Sequence, residues 1–126
     1  MKRLWIGMLA VAVLLSGGIL ASLKLASVHK NLSGQLEAAA TAAKTEDMER
    51  AHTLLINAEK YWNKHRAFSA AFSDHEPIEE LDMLFSQAQI CKNLNLTAQY
   101  AMVCSQLSHV CAAIAEAMEL TWWNLL

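Results

Sequence analysis

The chain has 126 residues, of which 55% are hydrophobic and 17% are charged, and its formal net charge is −2. This length allows one domain, and the apolar content excludes a disordered polar chain. The slightly negative charge excludes the basic surface that nucleic-acid binding requires, so we expect no nucleic-acid partner.

The first predicted element is a membrane span. Residues Leu4 to Leu23 carry no charge and follow the three-residue start Met1-Lys2-Arg3. A helix of this length rises about 30 Å, which is the thickness of the hydrocarbon core of a bilayer. The pattern predicts a transmembrane signal anchor over residues 4–23. A cleaved signal peptide is the alternative, because Ser16-Gly17-Gly18 resembles a small-residue cleavage site, although the apolar run continues beyond it.

The charges that flank this segment give only a slight orientation signal. Lys2 and Arg3 precede it, and Lys24 and Lys30 follow it. The positive-inside bias is therefore weak, but a leader of three residues is too short to form a domain. We expect the leader to lie in the cytoplasm and residues 24–126 to lie outside it, as in a single-pass protein of the cell membrane.

Four helices are predicted after the leader, the first of which continues from the span to about residue 43. The polar stretch Lys44-Thr45-Glu46-Asp47 predicts a break, with Thr45 as the cap of the second helix. Pro77 within Ser73–Pro77 predicts a second break, because proline is favoured only in the first turn of a helix. The third helix is predicted to end near Leu94, and Thr97 is predicted to cap the fourth.

Apolar residues at steps of three and four define one core-facing side of each helix. The predicted core positions are Val28, Leu32, Leu36, Ala39, Ala40 and Ala43 on the first helix, Met48, Ala51, Leu55, Ala58, Trp62, His65, Ser69 and Phe72 on the second, Ile78, Leu81, Phe85 and Ala88 on the third, and Tyr100, Cys104, Leu107, Cys111, Ile114 and Met118 on the fourth.

Short connections between successive helices predict an antiparallel up-down arrangement. The expected fold is therefore all-α, with an N-terminal transmembrane helix that continues into a four-helix bundle. In this arrangement the Ser73–Pro77 turn and the C-terminal Trp122-Trp123 pair return to the lipid surface. Trp5, Trp122 and Trp123 are predicted to lie at a membrane interface, where tryptophan is favoured. The alternative is that Trp122 and Trp123 only cover the open end of the bundle.

Several short stretches together resemble one known family. They are the start MKRLW with its apolar span, Ala42 to Met48, Tyr61 to Arg66, Asp74-His75 with Ile78 to Asp82, and the ending Trp-Trp-Asn-Leu-Leu. This combination is similar to small bacterial proteins, mainly of Firmicutes, that are catalogued as domain of unknown function 4363. The resemblance implies a membrane-anchored helical domain and brings no known activity with it.

The densest polar cluster surrounds the second break. The candidate metal ligands there are His65, His75, Glu79 and Asp82, since zinc and related ions bind imidazole together with carboxylate. No HExxH or paired ExxH motif accompanies them. The alternative is structural: a partly buried His65 bonds to Asp82 or Glu79 on the third helix, which would raise the pKa of His65 and let the bundle tolerate acid.

The three cysteines do not show a redox pattern. Cys104 and Cys111 are seven residues apart on one helix, too far for a disulfide, and a bond from Cys91 to Cys104 would be offset by a turn. There is no Cys-x-x-Cys motif. Buried free thiols that act as small apolar side chains are therefore the favoured interpretation.

No sequence pattern indicates catalysis. The nucleophile-elbow, Walker and Rossmann glycine motifs are missing, so we expect no enzyme activity, no nucleotide and no cofactor. The first functional hypothesis is a membrane-tethered helical module that binds another envelope protein or itself, with the alanine-rich stretch Ala38–Ala43 allowing close helix approach. The second is an extracytoplasmic metal-binding or sensing bundle that uses His65, His75 and the neighbouring carboxylates.

Overall fold

The computed structural model describes the backbone of residues 1–125 and the side chains of residues 1–120, so the predicted interface positions Trp122 and Trp123 lie outside the described side chains. Over this part of the chain it consists of helices joined by short turns, which confirms the predicted all-α bundle. The first helix packs most extensively on the fourth and also on the second, and the third packs mainly on the fourth. The helices are α1 (Lys2–Lys44), α2 (Met48–Phe72), α3 (His75–Asn93) and α4 (Thr97–Leu125).

The long helix α1 has two parts with opposite surroundings. Its most apolar 18-residue window is 0% buried. From Leu25 to Ala43 the same uninterrupted helix supplies a large share of the bundle core. Because no turn separates the two parts, the apolar N-terminal half projects beyond the bundle as a rigid extension of a core helix.

The fourth helix is also apolar enough to cross a membrane by length and composition alone. Of its most apolar window, 39% is buried within the described structure. Tyr100, Cys104, Leu107 and Cys111 are fully buried against the other helices, as their spacing predicts. We therefore describe α4 as a core helix of the bundle.

The core positions predicted on α2 and α3 are largely confirmed. Ala51, Leu55, Ala58, Trp62 and Ser69 are buried on α2, and Ile78, Leu81, Phe85 and Ala88 are buried on α3. Three predicted positions differ. Met48 is only partly buried against the core. Phe72 is 54% exposed because it is the last residue of α2, and His65 is only half buried.

The turn between α1 and α2 is closed by a left-handed residue. Glu46 has φ 63°, and the next N–H, that of Asp47, donates to the carbonyl of Ala42 at 2.9 Å. The side chain of Asp47 then accepts a hydrogen bond from the N–H of Arg50 at 3.2 Å. Asp47 is thus the cap of α2, and the prediction of Thr45 was wrong, because the Thr45 hydroxyl instead donates to carbonyls of the last turn of α1.

Replacing Glu46 with glycine should stabilise the bundle by about 0.5–1 kcal/mol, because a left-handed conformation is costly for a residue with a Cβ and not for glycine. Urea unfolding followed by circular dichroism measures the change. Thr45→Gly is the matched control: Thr45 has φ −90°, so glycine there gains nothing and should lower stability. Equal effects of the two variants would contradict the strain at Glu46.

The two remaining turns place α3 and α4. Pro77 lies in the first turn of α3, as predicted, behind an extended Asp74. Asn95 is left-handed with φ 56°, and the N–H of Leu96 donates to the carbonyl of Cys91 at 2.8 Å. Because α4 already begins at Thr97 and the Leu96 carbonyl accepts its first hydrogen bond, Thr97 is a helix residue and its prediction as the cap was wrong.

Candidate functional site

The predicted metal ligands lie in different surroundings. His75 and Glu79 are exposed at the start of α3, whereas Asp82 and His65 are half buried. Among residues 1–120, no three side chains of the His, Cys, Asp and Glu types come together in a way that could hold a metal ion. The geometry therefore gives no support to a site built from these four residues.

The predicted bond between His65 and a carboxylate of α3 is not formed among the described side chains. The ring of His65 lies 4.5 Å from the ring of Tyr61 on its own helix. Burial, together with the charges of Lys64 and Lys24, lowers the pKa of His65 below its usual value. The condition for a raised pKa of His65 is therefore not met, because the side chains that reach Asp82 from α2 are those of Trp62 and Arg66.

Asp82 is the centre of the polar contact between α2 and α3. Its Oδ1 accepts a hydrogen bond from Trp62 Nε1 at 2.9 Å, and its Oδ2 accepts from Arg66 Nε at 2.9 Å and Nη2 at 2.6 Å. Burial alone would raise the pKa of Asp82, but the hydrogen bonds from Arg66 and Trp62 and the charge of Arg66 lower it. Asp82 is thus an ionised acceptor that fixes the indole of a buried tryptophan.

Two more polar pairs join α2 to α3 further from the apolar half of α1. Gln89 Nε2 donates to Glu59 Oε2 at 3.3 Å, and Lys92 Nζ donates to His52 Nε2 at 2.6 Å. Burial and the charge of Lys92 lower the pKa of His52, against the opposing effect of Glu59. These pairs add polar contacts between two helices that pack mainly on other neighbours, α2 on α1 and α3 on α4.

His29 is the buried ionisable residue that the sequence analysis missed. It lies on α1 with no exposed surface. Its Nε2 is 3.4 Å from the hydroxyl of Ser69, its ring centroid is 5.8 Å from that of Trp62, and its Nδ1 has no hydrogen-bond partner. Burial lowers the pKa of His29 to about 4, so the imidazole is neutral near pH 7.

The position of His29 follows from the core spacing of α1. It is four residues after Leu25 and three before Leu32, both of which are fully buried. Helical periodicity alone therefore assigns His29 to the core, and this signal was available in the sequence. The buried His29 and Trp62 and the half-buried Asp82 together form a contact chain that links α1, α2 and α3 near the apolar half of α1.

The contact between α1 and α4 is mainly apolar with a few polar pairs. The hydroxyls of Ser33 and Ser108 are 3.1 Å apart, and Ser108 also donates to the carbonyl of Ser33 at 3.0 Å. Lys30 forms an ion pair with Glu119. Of the alanine-rich stretch, four residues are buried within the fold, which are Ala39, Ala40, Ala42 and Ala43.

An open groove lies between the far ends of α1 and α4, away from the apolar half of α1. The buried Ala43 and Ala101 lie at its floor, and its other lining residues are Lys44, Glu46, Thr97, Ala98, Met102 and Ser105. Met102 is 55% exposed. The groove has the small apolar floor and long side chains that a packing partner could contact, and we call it the distal groove.

The thiols are placed as apolar side chains. Cys104 and Cys111 are buried, Cys91 is half buried, and all three are free. Burial raises the pKa of both Cys104 and Cys111 to about 12. Since the thiolate is the reactive form of cysteine, these two residues are poor nucleophiles at neutral pH.

Fold and contacts together define a class of protein: a helical bundle built around the second half of a long apolar N-terminal helix. The chain belongs to the family described as Domain of unknown function (DUF4363), whose model matches residues 19–125. The predicted family is therefore confirmed, and the match covers the whole bundle. Comparison with curated proteins and with solved structures gives no match.

Proposed function

We propose that this protein is a single-pass membrane protein whose helical bundle stands outside the cytoplasm and acts by binding another envelope protein or a second copy of itself. The observation that carries the proposal is the continuous α1. Its uncovered apolar half has the length of a membrane span, and its other half supplies a large share of the bundle core. A bundle built on such a helix stays at the membrane with a fixed orientation.

The chemistry of the described side chains favours binding over catalysis. The most perturbed histidine, His29, is enclosed and has no surface through which a substrate could reach it. Cys104 and Cys111 are held in their protonated form by burial. The distal groove is the surface that we assign to the partner, because it is open and has an apolar floor.

Topology is tested by labelling single cysteines with an impermeant maleimide on intact cells. The background variant is Cys91→Ser, which leaves only the two buried thiols. Asn57→Cys lies on the exposed side of α2 and should react on intact cells. Lys2→Cys is the matched position on the leader and should react only after lysis. The reverse pattern would overturn the proposed orientation.

The binding surface is tested by photo-crosslinking in native membranes. A photoreactive residue is placed at Met102 in the distal groove, and a second is placed at the exposed Asn57 as the control. We expect a discrete crosslinked product from Met102 only, and its mass shows whether the partner is the same chain. Equal products from both positions, or products from neither, would contradict the assignment of the distal groove.

A further inference from the structure

The end of the bundle that faces the apolar half of α1 carries exposed apolar side chains on three helices. Leu20 and Leu23 lie on α1, Phe72 is the last residue of α2, and Leu120 lies on α4. Their exposed fractions are 68%, 52%, 54% and 54%. We call these four residues the apolar rim. Such a cluster is unfavourable in water and indicates a surface that another apolar phase covers.

The contacts of α2 set the level of the rim along α1. Lys24 is the first charged residue after the apolar segment, and its Nζ lies 4.7 Å from the centroid of the Phe68 ring. The Phe72 ring is 5.0 Å from the Phe68 ring and one turn further along α2. The helix α2 runs antiparallel to α1, and one turn rises 5.4 Å. Phe72 therefore lies beside the last turn of the apolar segment, residues 4–23, on the N-terminal side of Lys24.

The contacts between α4 and α1 bracket the level of Leu120. Ser108 lies beside Ser33. Leu120 follows Ser108 on α4 by the same number of residues by which Ala21 precedes Ser33 on the antiparallel α1. This pair places Leu120 level with Ala21, whereas the ion pair between Lys30 and Glu119 places it nearer His29. Leu120 therefore lies near the end of the apolar segment that adjoins Lys24. Ile19, Ala21 and Ser22 are partly covered, unlike the residues before them.

We propose that the apolar rim is seated in the boundary between the lipid headgroups and the acyl chains, so that the bundle contacts the bilayer directly at its surface. This inference rests on the proposed function, since it assumes that residues 4–23 span the membrane. The occupant is lipid because Leu20 and Leu23 belong to the span itself and Phe72 ends α2 close to the level of Lys24. An aromatic ring and a neighbouring lysine are side chains that this boundary layer favours.

Charge limits how deeply the rim can enter. Asp74 follows Phe72 in the turn, and Glu76, Glu79 and Glu80 lie on the first turns of α3. All four are exposed. Carboxylates are costly within the hydrocarbon and stay in water. The contact is therefore an apolar one at headgroup depth, and it does not require anionic lipid.

The test uses spin-labelled cysteine variants of the full chain, in a Cys91→Ser background, in nanodiscs of phosphatidylcholine. Three positions are compared: Phe72→Cys on the rim, Ile90→Cys on α3 as the matched control, and Leu14→Cys within the span. Ile90 is 55% exposed, close to the 54% of Phe72. Collision of each label with oxygen reports lipid, and collision with a water-soluble nickel chelate reports water.

We expect the ratio of oxygen to nickel collisions to be several-fold higher at Phe72 than at Ile90, and highest at Leu14. A ratio at Phe72 equal to that at Ile90, with Leu14 still in lipid, would overturn the seating of the rim alone. A water-like ratio at Leu14 would instead overturn the membrane anchor. Shielding of Phe72 from both reagents, with line broadening from a second label, would assign the rim to a second copy of the chain.

Discussion

Acidification of the full chain from pH 7 to pH 4 is expected to lower its free energy of unfolding by about 3 kcal/mol through His29. The unfolded side chain has its usual pKa of 6.5, whereas burial lowers the pKa in the folded chain to about 4. Between these values the unfolded chain binds a proton that the folded chain does not. Stability that is fully present above pH 6.5 is therefore lost as the pH falls, and the loss levels off below pH 4.

The measurement is urea unfolding in detergent micelles, followed by circular dichroism across this pH range, for the wild type and for His29→Leu. The pKa values of His52 and His65 are also lowered, so only the difference between the two proteins reports on His29. Ser69→Ala is the matched control. It removes the 3.4 Å contact to His29 but leaves burial, and it should keep the pH dependence. A difference between wild type and His29→Leu that stays constant with pH would contradict this account.

The spacing of apolar residues predicted the four helices well because each helix buries one side against its neighbours. The long apolar run of α1, the break at Asp47 and the proline at the start of α3 each act locally, so their effects are visible in the sequence. The incorrect prediction of Thr45 as the cap of α2 has a physical reason as well. Both Thr45 and Asp47 are good capping residues, and the left-handed conformation of Glu46, which selects Asp47, depends on how α1 ends.

Side-chain partners between helices were predicted less well. The charged cluster around the second turn suggested a contact between His65 and Asp82, but helix rotation decides which residue of α2 faces α3. A rotation that buries Trp62 and Ser69 aims Arg66 at Asp82 and leaves His65 against Tyr61. Spacing along one helix does not contain this information, because it depends on the relative placement of two helices.

Replacing Trp62 with alanine should lower the free energy of unfolding by about 3–5 kcal/mol, the usual cost of removing a large buried aromatic side chain. Trp62 is 1% exposed and lies between His29 on α1 and Asp82 on α3. Its loss therefore leaves a cavity and removes one of the hydrogen bonds that Asp82 accepts. Tyr61→Ala is the matched control, since Tyr61 is an adjacent aromatic residue that is only half buried, and its loss should be smaller.

The hydrogen bond to Asp82 can be separated from packing with Trp62→Phe, which keeps most of the ring but removes the indole N–H. We expect this variant to lose about 2 kcal/mol, because a bond to an ionised acceptor contributes about 1.5–3 kcal/mol. A double-mutant cycle with Asp82→Ala measures the coupling directly. A coupling near 1 kcal/mol or above means that the indole and the carboxylate stabilise the α2–α3 contact as a pair. Additive effects would mean that Trp62 acts through its volume alone and that Arg66 and water satisfy Asp82 without it.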